Sequence, residues 1–336
     1  LLTGPATAAA WALVIVLASA VAFRRGPPPK PILPGWRDAW FEGALLASTT
    51  VLAGLIGLTA LMSAPNSADA MAYHLPRIVY WVQQSSVALF PTHYLNQVML
   101  QPFAEYLTLH TWLLSGGDRY ANLPQLCAYL MCLAAVSLIA RELGGGRRAQ
   151  TLSAAVCATL PNVILQASGA KNDLVLAAGL GAFVYFGARY ARRRARIDLL
   201  CAAAAGGLAL FTNGPAYLFL PPLGLALIAF ASKDRLLVVR NLVLTGAAAT
   251  LRLTGPVFLR NLRLSGSPLG FDSPFADDTF RWRNEPLSLR GTLSNASRHA
   301  SEQLGGRSEH WNDTVYAAAL SAHDAIGADP ADSGTT

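Results

Sequence analysis

Eight apolar stretches, joined by one long and several short connectors, constrain this chain more than any other feature. They lie at about residues 6–23, 42–62, 120–140, 150–168, 172–190, 197–212, 215–232 and 237–259. A helix rises ~1.5 Å per residue, so about 20 apolar residues cross the ~30 Å hydrocarbon core of a bilayer. Charged residues make up only 13% of the 336 residues, against about 25% in soluble domains. We therefore predict an all-α fold, a polytopic transmembrane helical bundle of about eight spans.

Two of these stretches are short, and their geometry stays open. The sixth and seventh are separated only by residues 212–215, Thr-Asn-Gly-Pro. Either a tight hairpin or two tilted partial spans fits this spacing.

The basic residues predict the orientation of the bundle. Alternate connectors hold fourteen Lys and Arg residues in one set, and only three in the other set before Arg260. The first set comprises Arg24, Arg25, Lys30, Arg37, Arg141, Arg147, Arg148, Arg189, Arg192, Arg193, Arg194, Arg196, Lys233 and Arg235. Because short cytoplasmic connectors are enriched in Lys and Arg, this set is predicted to be cytoplasmic. The net charge of +7 comes from these short clusters between apolar stretches. Membrane orientation therefore explains the basic residues better than nucleic-acid binding does.

The long connector, about residues 63–119, is therefore predicted to face outward and to carry short interfacial helices. Capping signals place them after Asn66/Ser67 with Asp69 in the first turn, after Pro76 over Arg77–Leu89, and from Pro102 to Gly116–Gly117. The second helix would turn Ile78, Trp81 and Val82 toward the membrane.

The domain organisation predicted is a multi-span membrane domain at 1–263 and a polar C-terminal segment at 264–336. Beyond Phe258 the chain becomes polar, with a Gly/Pro-rich bend at 265–270, and a soluble or irregular character is expected there. The chain opens on Leu rather than Met, and a truncated C-terminal segment is one interpretation.

Acidic and cationic side chains just beyond the spans are the candidates for chemistry. Asp69 could accept a proton from a hydroxyl or hold a divalent ion, although a carboxylate in a first helical turn is also favoured by the helix dipole alone. Arg77 suits a phosphate group, or else lipid headgroups, and His74 lies on the same short stretch. Glu105 could line a sugar site or face water.

Further candidates come from later connectors. Asp118 could simply pair with Arg119. Lys171 could likewise pair with Asp173 in the short turn between the fourth and fifth stretches. That turn, however, should lie on the same side of the membrane as Asp69 and could complete a shared cavity with it. Arg252 falls inside the last apolar stretch, where a charge usually faces a cavity or a partner, with Asp173 or a bound phosphate as candidates. Alternatively, the span starts later and leaves Arg252 in a polar break. Arg260, together with Arg263, offers a cationic cluster at headgroup depth.

An ordered series of short blocks resembles the bacterial membrane glycosyltransferases of the GT-C superfamily, in the protein mannosyltransferase-like group. The blocks are residues 69–77 (DAMAYHLPR), 80–83 (YWVQ), 90–92 (FPT), 101–105 (QPFAE), 116–119 (GGDR), 166–173 (QASGAKND), 214–219 (GPAYLF), 260–261 (RN) and 266–270 (GSPLG). The series covers roughly residues 42–300. The group often has a basic residue before the seventh span, where this chain has Asn213.

The resemblance implies an enzyme of the cell membrane that moves a sugar from a polyprenyl-phosphate donor to a glycan, lipid or protein acceptor on the outer face, with inversion. The acidic position of the first outer loop falls on Asp69 and the second on Asp173, with Asp118 the weaker choice. Residues contacting the donor phosphate would come from Arg77, Lys171 and Arg260. Some members use a divalent cation, Mg²⁺ or Mn²⁺, and others do not, so a metal held by Asp69 and Asp173 stays open.

Two other classes of function compete. A transporter or flippase of a lipid-linked or anionic solute would use Arg252 and Asp173 as buried charges, although no internal repeat is visible. A non-catalytic membrane subunit would lack a cavity joining Asp69, Lys171 and Arg260.

Overall fold

The structure, a computed structural model, describes residues 3–24, 40–231, 234–269 and 288–331, and the regular secondary structure in these parts is helical. No strand occurs within these ranges. The helices are α1 (Gly4–Arg24), α2 (Trp40–Met62), α3 (Leu75–Gln83), α4 (Asn96–Met99), α5 (Phe103–Ser115), α6 (Leu123–Glu142), α7 (Arg147–Thr159), α8 (Pro161–Ala167), α9 (Asp173–Arg193), α10 (Arg196–Thr212), α11 (Ala216–Phe230), α12 (Arg235–Leu253), α13 (Gly255–Ser265), α14 (Leu289–Leu304) and α15 (Glu309–Ile326).

The chain divides into two compact units, Leu1–Ser273 and Pro274–Thr336. The second unit contains α14 and α15, each capped by a serine side chain at its N-terminus, where the sequence suggested soluble or irregular structure. The functional division into a membrane domain at 1–263 and a polar segment at 264–336 stays a prediction.

Four helices of the described chain are long and apolar enough to cross a membrane. They are Trp40–Met62, Asp118–Glu142, Asp173–Arg193 and Arg235–Leu253, with shorter apolar helices at Gly4–Val16 and Ala216–Phe230. An all-α, multi-pass membrane fold is thus confirmed, whereas the number of about eight spans stays a prediction.

Prolines explain why two of the predicted spans are broken into pairs of helices. The fourth stretch divides into α7 and α8 at Pro161, and the eighth divides into α12 and α13 ahead of Pro256. Proline lacks the N–H that continues a helix, and its ring clashes with the preceding turn. It is well tolerated in the first turn of a helix, which is where both prolines lie.

The two sets of connectors lie at opposite ends of the bundle, and within each set the connectors contact one another. At one end, Glu42 of α2 pairs with Arg148, and Glu142 of α6 pairs with Arg193 at 3.0 Å. At the other end, Asn122 donates to the carbonyls of Ala60 and Ser63, at 3.2 and 3.0 Å. The basic connectors 141–148 and 189–196 therefore lie together, away from the connector 63–122. Of the basic residues in the predicted cytoplasmic set, Arg25, Lys30, Arg37 and Lys233 lie outside the described residues.

The connector 63–122 has its own apolar core. Its buried residues are Ala70, Leu75, Ile78, Trp81, Phe90, Val98, Met99, Leu109 and Ala121, together with Ala170 from the turn before α9. The prediction that Ile78 and Trp81 face the membrane is wrong, because both are almost fully buried in this core. An apolar helical stripe marks a buried face without saying whether lipid or protein covers it.

Candidate active site

The segment carrying Asp69 folds as a capped turn that leads directly into α3. The Ser67 hydroxyl accepts a hydrogen bond from the Ala70 amide at 3.2 Å, so the predicted cap at Asn66/Ser67 is confirmed at Ser67, with Asp69 in the first turn. The backbone then widens into a π-helical turn over Ala70–His74 before α3 begins. Such turns are rare and occur frequently at functional sites.

Asp69 and Asp173 are brought together by Lys171. The Lys171 ammonium lies 3.2 Å from Asp69 Oδ2 and 3.3 Å from Asp173 Oδ2. The two carboxylate side chains are 49% and 42% exposed, whereas that of Lys171 is only 18% exposed. Burial alone would lower the pKa of Lys171, but the two carboxylates outweigh it and the pKa is raised. The cluster therefore holds a fixed positive charge beneath two accessible carboxylates.

The turn that carries this cluster is anchored to the turn before α11. The buried Asn172 donates to the carbonyl of Thr212 at 3.4 Å, and Asn213 donates to Asn172 Oδ1 at 3.0 Å. Asn213 is the position at which the resembling group often has a basic residue. In this chain it holds the turn before α9 in place.

Glu105, Arg77 and His74 form a second cluster, which is buried. Glu105 Oε1 accepts from Arg77 at 3.1 Å and lies 3.0 Å from His74 Nδ1. Burial alone would raise the pKa of Glu105, yet the charge of Arg77 and the hydrogen bond from His74 lower it overall. His74 Nε2 and Glu105 Oε2 have no hydrogen-bond partner among the described residues. These three residues, predicted to bind substrate, lie inside the fold and hold one another.

Arg77 also ties down the chain that leads into α5. Its guanidinium donates to the carbonyls of Asn96 at 2.9 Å, Leu100 at 3.2 Å and Gln97. One side chain thereby satisfies three backbone acceptors and one carboxylate. This arrangement fixes the loop before α5 against the segment that follows Asp69.

Tyr73 lies between the two clusters and was not among the residues predicted from the sequence. It follows Asp69 by four residues, on the same helical face. Its pKa is raised first by burial and then by the negative charges of Asp69, Glu105 and Asp173. Tyr73 therefore stays protonated and offers an O–H donor at the centre of the site. The i, i+4 spacing from Asp69 was the sequence signal that could have found it.

Arg260 is a partly buried cation with no carboxylate partner among the described residues. Its guanidinium donates to Asn261 Oδ1 at 3.0 Å, and Asn261 donates to the carbonyl of Met99 at 2.9 Å. Burial, followed by the nearby charge of Arg77, lowers the pKa of Arg260 to about 10. A desolvated guanidinium beside another cation is a favourable place for an anion.

An apolar groove runs along the helices and reaches the start of α11. It has a volume of about 590 Å³ and is lined by side chains of α9, α10, α11 and α12. Tyr217 is the lining residue nearest the start of α11; its hydroxyl lies 3.5 Å from Gln101 Nε2 and its ring 6.3 Å from that of Phe258. Phe258 precedes Arg260 by two residues on α13.

Two candidate residues, Asp118 and Arg252, do not join the clusters. Asp118 is exposed and lines a separate cavity of about 310 Å³ beside the end of α2. The alternative that it simply pairs with Arg119 is not observed, since Arg119 lies over the ring of Tyr120. Of the two candidate partners of Arg252, Asp173 is not observed, because Arg252 is exposed in the last turn of α12 and Asp173 pairs with Lys171.

The fold and the charged clusters define a multi-pass membrane protein with a polar site at one end of its helices. Residues 102–259 match the family model described as dolichyl-phosphate-mannose-protein mannosyltransferase, a family of the GT-C type. The resemblance found in the sequence is confirmed over these residues, which include Glu105, Lys171 and Asp173. No curated protein and no solved structure matches the chain. The family is one of membrane glycosyltransferases that use a lipid-linked sugar donor.

Proposed function

We propose that this chain transfers a sugar from a polyprenyl-phosphate donor to an acceptor hydroxyl at the outer face of the membrane, with inversion at the anomeric carbon. The observation that carries the proposal is the meeting of Asp69 and Asp173, from two separate connectors, on the ammonium of Lys171. Two half-exposed carboxylates at one end of a membrane bundle suit proton abstraction from a hydroxyl.

Asp69 acts as the general base in this proposal. It accepts the proton of the acceptor hydroxyl while the hydroxyl oxygen forms a bond to the anomeric carbon. The bond from that carbon to the phosphate oxygen breaks, and the phosphate leaves with the electron pair. A single displacement of this kind inverts the configuration. Asp173 orients the acceptor, and Tyr73 offers a hydrogen-bond donor to the sugar.

Arg260 binds the donor phosphate. Of the three cations that the resemblance offered for this role, Arg77 is fully occupied by Glu105 and backbone carbonyls, and Lys171 by two carboxylates. Arg260 is partly buried and keeps donors for an anion. Neutralising the charge that develops on the leaving phosphate lowers the barrier to transfer.

The apolar groove accommodates the prenyl chain of the donor. It is lined mainly by apolar side chains, and the ring of Tyr217, one of them, lies 6.3 Å from that of Phe258 on α13, the helix that carries Arg260. A lipid donor would place its phosphate at the polar end of the helices and its tail along α11 and α12. The distribution of basic connectors supports an outward position for the polar end.

The test is covalent transfer in a reconstituted system. Purified protein in proteoliposomes is given a panel of radiolabelled polyprenyl-phosphate sugars, beginning with mannose, together with membrane extract as the source of acceptor. We expect label to move to an acceptor and free polyprenyl phosphate to accumulate in equal amounts. Movement of the labelled lipid between leaflets without covalent transfer would contradict the proposal and favour a flippase.

Replacement of Arg260 by Gln is expected to raise the KM for the lipid donor by about 10- to 100-fold, as the loss of charged hydrogen bonds predicts. Arg263→Gln is the matched control, because Arg263 is exposed on the same helix. Donor titrations of both variants measure the effect. An unchanged KM in the Arg260 variant would remove this residue from the donor site.

A further inference from the structure

The ammonium of Lys171 lies at the position that a metal ion shared by Asp69 and Asp173 would need. Its nitrogen is 3.2 and 3.3 Å from the two carboxylate oxygens. Mg²⁺–oxygen bonds are about 2.0–2.1 Å and Mg²⁺ demands near-octahedral coordination. A metal could enter only if Lys171 moved away and the carboxylates closed.

The rest of the site provides few further side chains that could bind a metal ion. Across the described ranges, no group of three or more His, Cys, Asp or Glu side chains is placed to hold an ion. In the same connector, His74 Nδ1 and Glu105 Oε1 are occupied with each other, and Glu105 Oε1 also pairs with Arg77. The donor set therefore fits an ammonium better than a divalent cation.

We propose that Lys171 is a built-in cation that takes the place of a divalent metal between Asp69 and Asp173, so that sugar transfer by this chain needs no metal ion. The inference rests on the proposed function, in which Asp69 is the base. Lys171 acts as a positioning residue: it cancels one of two like charges and holds both carboxylates at the site. The hydrogen bonds of Asn172 to Thr212 and Asn213 keep its backbone in place.

The chemistry of an internal ammonium differs from that of a bound metal in a useful way. The two carboxylates raise the pKa of Lys171, so the positive charge persists throughout the neutral and mildly alkaline range. It cannot be removed by a chelator or by exchange with solvent. The ammonium lies beneath the carboxylates, which leaves their outer oxygens free for the acceptor hydroxyl.

A binding experiment tests the inference without an activity assay. Free Mn²⁺ is measured by electron paramagnetic resonance during titration of purified wild-type protein, Lys171→Met, Lys171→Met with Asp69→Asn, and the control Arg119→Met. We expect one additional Mn²⁺ site per chain in Lys171→Met alone, absent from the other three. A site in the wild-type protein as tight as the one expected in Lys171→Met, or no additional site in Lys171→Met, would overturn the inference.

An activity experiment separates this inference from the proposed function. Wild-type transfer is expected to be unchanged by excess EDTA, and Lys171→Met is expected to lose activity that Mn²⁺ restores in part. Transfer that EDTA abolishes and Mg²⁺ restores in the wild-type protein would overturn the inference and leave Asp69 as the base. Full activity of Asp69→Asn would overturn the proposed function itself.

Discussion

Replacement of Asp69 by Asn is expected to reduce sugar transfer by about 10²- to 10⁴-fold, the usual contribution of a general base. Asn has the same shape and keeps a hydrogen-bonding oxygen toward Lys171, but it cannot accept a proton at neutral pH. The measurement is kcat for label transfer from the polyprenyl-phosphate sugar at saturating donor.

The change should leave the fold intact. The Asp69 side chain is 49% exposed, and exposed ion pairs contribute little to stability. Asp173 also remains as a partner of Lys171. Thermal unfolding of the variant should therefore match that of the wild-type protein, which separates lost chemistry from lost structure.

Asp118→Asn is the matched control in this experiment. Asp118 lies in the same connector, is exposed, and makes no ion pair among the described residues. We expect full activity from it. Asp69→Asn with activity close to wild type, or a larger loss in Asp118→Asn, would contradict the assignment of Asp69 as the base.

Much of the bundle could be predicted from the sequence, because apolar runs of membrane length leave few alternatives to helices. The meeting of Asp69 with Lys171 and Asp173 followed from counting connectors. Alternate connectors reach the same end of the bundle, so residues a hundred positions apart were expected on one side. The bridging role of Lys171 did not follow, since it depends on side-chain geometry in a short turn.

The burial and mutual pairing of Glu105, Arg77 and His74 could not be predicted from the sequence. Charged residues are rarely buried unless they are paired, and the partners here are 28 and 31 positions apart. The residues next to Arg77 in the sequence do not distinguish an arginine in a buried ion pair from one that contacts lipid headgroups. For the same reason, Ile78 and Trp81 were assigned to the membrane rather than to the core of the connector.

The number of membrane spans cannot be read from the apolar pattern alone. Hydropathy finds an apolar run but does not register the break that Pro161 or Pro256 imposes within it. The shorter helix on the far side of each break cannot cross a bilayer alone. Its place in the membrane depends on packing against neighbours, which the apolar pattern does not encode.

Replacement of Arg77 by Met is expected to destabilise the protein far more than Asp69→Asn or Arg260→Gln. Arg77 and Glu105 are each 1% exposed in their side chains. Removal of one partner of a buried ion pair leaves an uncompensated charge and costs about 3–5 kcal/mol. Three backbone carbonyls, of Asn96, Gln97 and Leu100, lose their donor as well. A fall in Tm of the order of 10 °C follows.

A double variant identifies the cause of that loss. In Arg77→Met with Glu105→Gln the buried negative charge is gone, so part of the lost Tm should return. Arg119→Met, which replaces an exposed arginine in the same connector, should leave Tm unchanged. Thermal unfolding in detergent, followed by loss of the monodisperse peak in size-exclusion chromatography, measures all three.

The pH dependence of this difference has a defined sign. Glu105 has a pKa below its ordinary value of 4.5 in the folded protein, so its ionised form stabilises the fold above that value. The stabilisation is lost as the pH falls through the folded pKa. The gap in Tm between the wild-type protein and Arg77→Met should therefore be largest near neutral pH and narrow below pH 4.5. A gap that stays constant over this range would show that Arg77 acts through packing and its carbonyl contacts rather than through its charge.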